Sequence, residues 1–187
     1  MAIQSTRPHT PTLDDFYALI ARTENADRVF EFINREIVEV PSNTVSSYIA
    51  GRIQRRVAAF VENNDLGYVT GEAGGYTIWG SERYAPDVVF IRKDKGISSE
   101  WFHPLPPDLA VEVDYPSSAA SQSRLREKLF FYPNARVTVW LVFPETRTIE
   151  VYIPGETILK FGAGDTLDGG AVLPGFAVAV EAVFGEI

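Results

Sequence analysis

The chain contains no cysteine, which excludes disulfides, thiolate metal sites and cysteine nucleophiles together. Histidine is nearly as scarce: His9 falls in an expected tail of residues 1–10 and His103 in a proline-rich stretch. That leaves little for a zinc centre or a Ser-His-Asp arrangement, so any metal must be a hard one held by oxygen. No apolar run approaches the length that spans a bilayer, and the opening Met1-Ala2-Ile3-Gln4-Ser5-Thr6-Arg7-Pro8 lacks the charged-then-apolar build of a signal peptide. A cytoplasmic protein without a membrane partner is the simplest expectation. Positive charge is also short, since 17 Lys and Arg against 25 Asp and Glu give a net charge of -8. Such a balance argues against a general nucleic-acid coat, whose affinity comes from clustered basic groups, but leaves room for a local basic groove.

What is present suits an ordinary folded chain. With 187 residues, 45% of them hydrophobic and 22% charged, the chain can fill one core, and a single domain over residues 1–187 is expected. Thr12 precedes the acids Asp14 and Asp15 and the stripe Leu13, Phe16, Tyr17, Ile20, which predicts a capped helix. Arg28 to Ile33 and Glu36 to Val40 read as a hairpin about Asn34-Arg35. Val45, Ile49, Ile53, Val57, Phe60 and Val61 recur at helical spacing after Pro41-Ser42-Asn43, with Arg52, Arg55 and Arg56 expected on a solvated outer face. Strand patterns follow at Gly67 to Thr70, Tyr76 to Trp79, Asp87 to Ile91 and Leu109 to Val113. An exposed loop is expected from Lys93 to Pro107. Ser117-Ser118-Ala119-Ala120-Ser121 leads into a helix that Pro133 ends, and Val137 to Val142 with Thr148 to Tyr152 forms a second hairpin. Glycine-punctuated short strands and the apolar Val183-Phe184 complete the chain.

Two of these strands carry acids in apolar surroundings. Asp87 enters Val88-Val89-Phe90-Ile91, and Glu112 lies within Leu109-Ala110-Val111-Glu112-Val113. A buried carboxylate costs several kcal/mol, on the order of 3–5, unless something compensates it. Strand alternation puts Ala110, Glu112 and Asp114 on one side, and Asp87 reaches that side if the strands pair. Carboxylates gathered in this way repel one another unless a cation sits among them. Mg²⁺, with Mn²⁺ as its substitute, accepts oxygen ligands and keeps several waters. Arg124 and Lys128 sit four apart on the following helix, a like-charge pair that an anionic neighbour relieves. Lys128 can then orient a water or stabilise charge on a phosphate. An ion-pair network at a sheet edge, without catalysis, accounts for the same residue types.

Taken in order, several segments resemble the Uma family of restriction endonuclease-type proteins. They are Phe30-Glu31-Phe32-Ile33-Asn34-Arg35-Glu36-Ile37-Val38, Gly71-Glu72-Ala73-Gly74-Gly75-Tyr76, Arg83-Tyr84-Ala85-Pro86-Asp87-Val88, Pro106-Pro107-Asp108-Leu109-Ala110-Val111-Glu112-Val113, Leu125-Arg126-Glu127-Lys128, Val139-Trp140-Leu141-Val142 and Thr166 to Phe176. The resemblance implies an α/β architecture of the restriction-endonuclease-like PD-(D/E)XK kind, a mixed sheet flanked by helices with Mg²⁺ on an Asp and a Glu. Asp87 and Glu112 match those positions, and Glu31 matches the acid of the family's first hairpin, as a supporting ligand or base. Asp114 stands where the superfamily usually has lysine, and Lys128 matches a lysine on the next helix that could substitute for it. Arg35 replaces a common glycine, and Phe143 a common aspartate.

The reading is therefore a Mg²⁺-dependent endonuclease acting on nucleic acid, DNA first. Asp87, Glu112 and Asp114 are its metal-side acids and Lys128 and Glu31 its catalytic groups, in a symmetric homodimer. Its alternative is a catalytically silent interaction or regulatory module with the same fold. Glu72 reads as a loop acid, His103 as a loop residue, and Trp79, Trp101 and Trp140 as packing or partner-facing groups.

Overall fold

In the computed structural model residues 9–40, 43–115 and 119–186 are described. Most of the expected tail, Pro41-Ser42 and Ser117-Ser118 lie outside the described residues. Helix α1 (Leu13–Ile20) starts at a reciprocal cap: the Thr12 hydroxyl accepts from the Asp15 amide at 3.2 Å while Asp15 accepts from the Thr12 amide at 2.8 Å. The hairpin β1 (Phe30–Ile33) and β2 (Glu36–Glu39) turns through Asn34 and Arg35, both left-handed, with φ of 47° and 66°. Two left-handed residues in succession give the turn whose twist matches paired strands. Arg35 adopts there a backbone conformation natural to glycine.

Asn43 caps α2 (Thr44–Asn63), its side chain accepting from the Ser46 amide at 2.9 Å. The strands β3 (Gly67–Gly71), β4 (Gly75–Thr77), β5 (Arg83–Tyr84), β6 (Val88–Arg92), β7 (Phe102–His103) and β8 (Leu109–Val113) follow. Helix α3 (Ala119–Phe131) ends ahead of Pro133 as proline requires. The chain continues through β9 (Thr138–Phe143), β10 (Thr148–Tyr152), β11 (Leu159–Phe161), β12 (Thr166–Asp168), β13 (Ala177–Ala179) and the short α4 (Val180–Phe184).

Six strands form a mixed sheet in the order β11-β10-β9-β8-β6-β3, with β8 and β9 parallel and the other neighbours antiparallel. A second sheet runs β2-β1-β5-β4-β7. One face of the larger sheet packs on α2: Ile49, Ile53 and Val57 meet Val88, Phe90, Val111 and Trp140. Its other face, through Val89, Ile91 and Ala110, packs with Ile33, Tyr84 and Tyr132. All four β1 residues are buried, because Phe30 and Phe32 pack with Phe16 of α1 while Ile33 joins the core beneath the large sheet. This departs from the one-sided pattern of an ordinary hairpin.

Three local expectations change. The stretch expected as exposed loop contains β7, which adds to β4 in parallel, and buries His103 with both ring nitrogens facing backbone carbonyls, of Leu105 at 2.9 Å and Gly96 at 3.2 Å. The strand expected from Tyr76 stops at Thr77, leaving Trp79 54% exposed. Arg52 is not a solvated face residue: its guanidinium donates to the carbonyls of Ala182 (2.8 Å) and Val183 (3.2 Å) and ties α2 to α4. Among the described residues no helix is long and apolar enough to cross a membrane.

Candidate active site

Strand pairing decides which acids meet. β6 and β8 are antiparallel with Val88 opposite Val111 and Val89 opposite Ala110. One step further along the ladder Asp87 stands opposite Glu112, and directly opposed residues share a face. Both acids therefore fall on the side of the sheet that carries Ala110, beneath α3 and the first hairpin. The Val113 amide donates to Asp87 Oδ2 at 2.6 Å, which fixes the aspartate at the strand entry.

Lys128 descends from α3 between two carboxylates. Its Nζ donates to Glu31 Oε1 at 2.9 Å and pairs with Glu112 Oε1 at 2.6 Å. Glu31 also accepts the Ala85 amide at 2.7 Å, and Glu112 accepts the Tyr132 hydroxyl at 2.5 Å. All three charged side chains are buried. Lys128 makes no hydrogen bond to Asp87 among the described residues. Its ammonium also lies 5.3 Å from the centre of the Tyr84 ring, and the Tyr84 hydroxyl donates at 2.8 Å to the buried Glu82, which receives the Asn34 amide as well.

One positive charge thus answers three acids. Burial, and then the charge of Glu112, push Asp87 up from its ordinary range to about 7. Burial raises Glu31 as well, against the opposing pull of Lys128. Burial works against the Lys128 ammonium too, but Glu112 and Glu31 outweigh it and hold the lysine protonated. Either protons or a further cation can offset the remaining acids.

The acids border open space. A cleft of about 430 Å³ is lined by Glu31, Asp87, Glu112, Asp114, Arg124 and Lys128. The described hydrogen bonds occupy Oδ2 of Asp87 and Oε1 of Glu112. Among the described residues no buried side-chain oxygen lacks a partner, so Asp87 Oδ1 and Glu112 Oε2 are the solvent-reaching atoms of the pair. Two carboxylate oxygens beside an open cleft suit Mg²⁺, which keeps much of its hydration. No group of three or more His, Asp or Glu side chains forms a metal-holding cluster among the described residues, so Asp114, buried and lining the same cleft, stands beside the Asp87-Glu112 pair without completing a cage.

The structure brings Asp87, Glu112, Glu31, Lys128 and Asp114 to one cleft and leaves Glu72 in a neighbouring groove. Sequence reasoning did not single out Tyr132, whose hydroxyl donates to Glu112. Its spacing of four from Lys128 was the available clue, since such residues share a helix face.

A profile of the Uma2 family, described as "Putative restriction endonuclease", matches residues 13–181. The crystal structure of a protein from Anabaena variabilis ATCC 29413, titled a putative nuclease belonging to DUF820, superposes with a TM-score of 0.79 at 18% identity, covering 92% of this chain and 97% of that one. That likeness shows a shared fold over nearly the whole chain. No curated protein matches the chain.

Proposed function

Because the chain belongs to the Uma2 restriction endonuclease-type family, we propose that it is a Mg²⁺-dependent endonuclease that hydrolyses phosphodiester bonds, with DNA as substrate. The observation that carries the reading is the charge imbalance at the cleft: Asp87 raised to about 7 beside Glu112, with the single ammonium nearby already shared by Glu31 and Glu112. Asp87 and Glu112 are the residues that would hold Mg²⁺. Bound there, the ion supplies positive charge to offset the charge that develops on a phosphodiester.

The chain's own groups do the rest. Lys128 has three N–H donors, of which two serve Glu31 and Glu112. The third is left for a water or a phosphate oxygen, in place of the lysine that Asp114 displaces. Glu31, its carboxyl raised by burial and so a stronger base than an ordinary carboxylate, is the candidate proton acceptor. Tyr132 holds Glu112 in orientation. Two such chains in a homodimer would offer one cleft to each strand of a duplex.

A second reading, a catalytically silent module, draws on the same ion pairs, since a lysine gripped by two buried carboxylates also serves as scaffolding. Plasmid cleavage with Mg²⁺ or Mn²⁺ separates the two. Nicking by the wild type, lost together with metal binding in the Asp87→Ala/Glu112→Ala variant, is expected. Equal metal binding by both proteins, or cleavage that survives the double substitution, overturns the assignment.

A further inference from the structure

Beside the cleft runs a groove of about 540 Å³ between α2 and the β3–β4 turn, and Asp87 lines both. Ser47, Gly51 and Gln54 form the α2 wall, and Gly71, Ala73 and Gly74 the other. The glycines of the turn are explained by the protein itself: a Cβ on Gly71 would lie 3.1 Å from the Gln54 amide, and one on Gly74 2.8 Å from the Thr70 hydroxyl. Gly51 differs, since a Cβ there would meet nothing within 4 Å. A glycine in the middle of a twenty-residue helix costs about 1 kcal/mol relative to alanine. Nothing in the fold requires it. The space that it leaves opens into the groove that leads to Asp87.

Charge gives the second observation. Arg55, four residues after Gly51 and so its neighbour on the helix surface, is exposed. Arg124 is exposed and lines the cleft together with the acids. Among the described residues neither makes a hydrogen bond or an ion pair. In a chain of net charge -8, one unpaired guanidinium thus lies a helical turn from Gly51 in the groove and another in the lining of the cleft, and Asp87 is common to both concavities.

Building on the nuclease reading above, we propose that this groove is the path of the substrate strand: the sugar-phosphate chain lies along the bare backbone at Gly51, crosses Asp87 and Glu112, and is gripped through its phosphates by Arg55, a helical turn from Gly51, and by Arg124 in the cleft. Glycine at 51 allows the close backbone approach that a side chain would block. The paired Arg52, tied to α4, takes no part.

The absence of cysteine makes the test direct. Gly51→Cys and, as a control on the exposed far end of the same helix, Glu62→Cys each introduce one thiol. Each variant is assayed before and after reaction with a bulky maleimide, using labelled single-stranded and duplex DNA with Mn²⁺. Labelling the Gly51→Cys protein is expected to lower kcat/KM by about a hundredfold relative to the same protein unlabelled, as misplacement of a substrate does. DNA should slow its labelling, and the Glu62→Cys protein should respond to neither treatment. Arg55→Gln and Arg124→Gln should each reduce the slope of log binding constant against log salt by about one. Labelled and unlabelled Gly51→Cys proteins that cleave alike, from an active wild type, overturn the groove and leave the nuclease reading standing. A wild type that neither binds nor cleaves either DNA overturns both.

Discussion

Replacing Lys128 by methionine keeps most of the side-chain volume and removes the charge, leaving Glu31 and Glu112, formerly 2.9 and 2.6 Å from the ammonium, without their cation. Breaking a buried ion pair in this way costs about 3–5 kcal/mol. The penalty has a ceiling, because a stranded carboxylate can take up a proton instead. For a carboxyl with an ordinary pKa near 4.3, doing so at pH 7 costs about 4 kcal/mol, and at pH 5 only about 1 kcal/mol. The sign follows from linkage: removing the ammonium raises the folded pKa of Glu31 further above the unfolded value, so the stability that it contributes is present in acid and is lost as pH rises. Urea unfolding of metal-free wild type and Lys128→Met should therefore show a gap of about 3–5 kcal/mol at pH 7 that narrows toward about 1–2 kcal/mol at pH 5. Adding Glu31→Gln to Lys128→Met should recover part of the loss at pH 7, since one stranded charge is gone. A gap below about 1 kcal/mol at pH 7, or one equal at both pH values, would refute the claim that Lys128 neutralises this cluster.

Glu82, raised by burial despite its bonds from Asn34 and Tyr84, contributes stability that is lost as pH rises above the ordinary carboxyl range; Glu82→Gln should flatten that part of the pH profile of unfolding and raise stability at pH 8. Asp87→Asn should stabilise the metal-free protein at pH 8 by removing the repulsion with Glu112, while abolishing the rise in Tm expected when Mg²⁺ is added to the wild type; a variant still shifted by Mg²⁺ would place the ion elsewhere. Arg35→Gly, at φ of 66°, should stabilise the hairpin by about 1 kcal/mol in thermal unfolding, with loss of stability as the contrary result.

Much of the centre was readable before any coordinates. Asp87 and Glu112 each interrupt a near-continuous apolar run, and period-two alternation already put Glu112 and Asp114 on one face. What alternation lacks is register: the pairing of Val88 with Val111, which sets Asp87 across from Glu112, is a long-range fact. Glu31 was visible only through family resemblance, because β1 is buried on both faces and shows no alternation. Its partner Lys128 lies 97 residues away, beyond the reach of local patterning. The five-stranded sheet was the least legible, since β5 and β7 have two residues each and form through tertiary pairing instead of intrinsic propensity. Arg52 was misread for the same reason, as the carbonyls that it binds arrive from the other end of the chain.

Glu31 belongs to the smaller sheet, Glu112 to the larger one, and Lys128 to the helix that bridges them. The adhesion of two structural layers thus passes through the same three side chains that border the cleft. Whatever alters the electrostatic balance there also changes how firmly the first hairpin is held. An occupied centre should announce itself at a distance, as slower amide exchange along Phe30–Ile33, so that loading and mechanical tightening become one event.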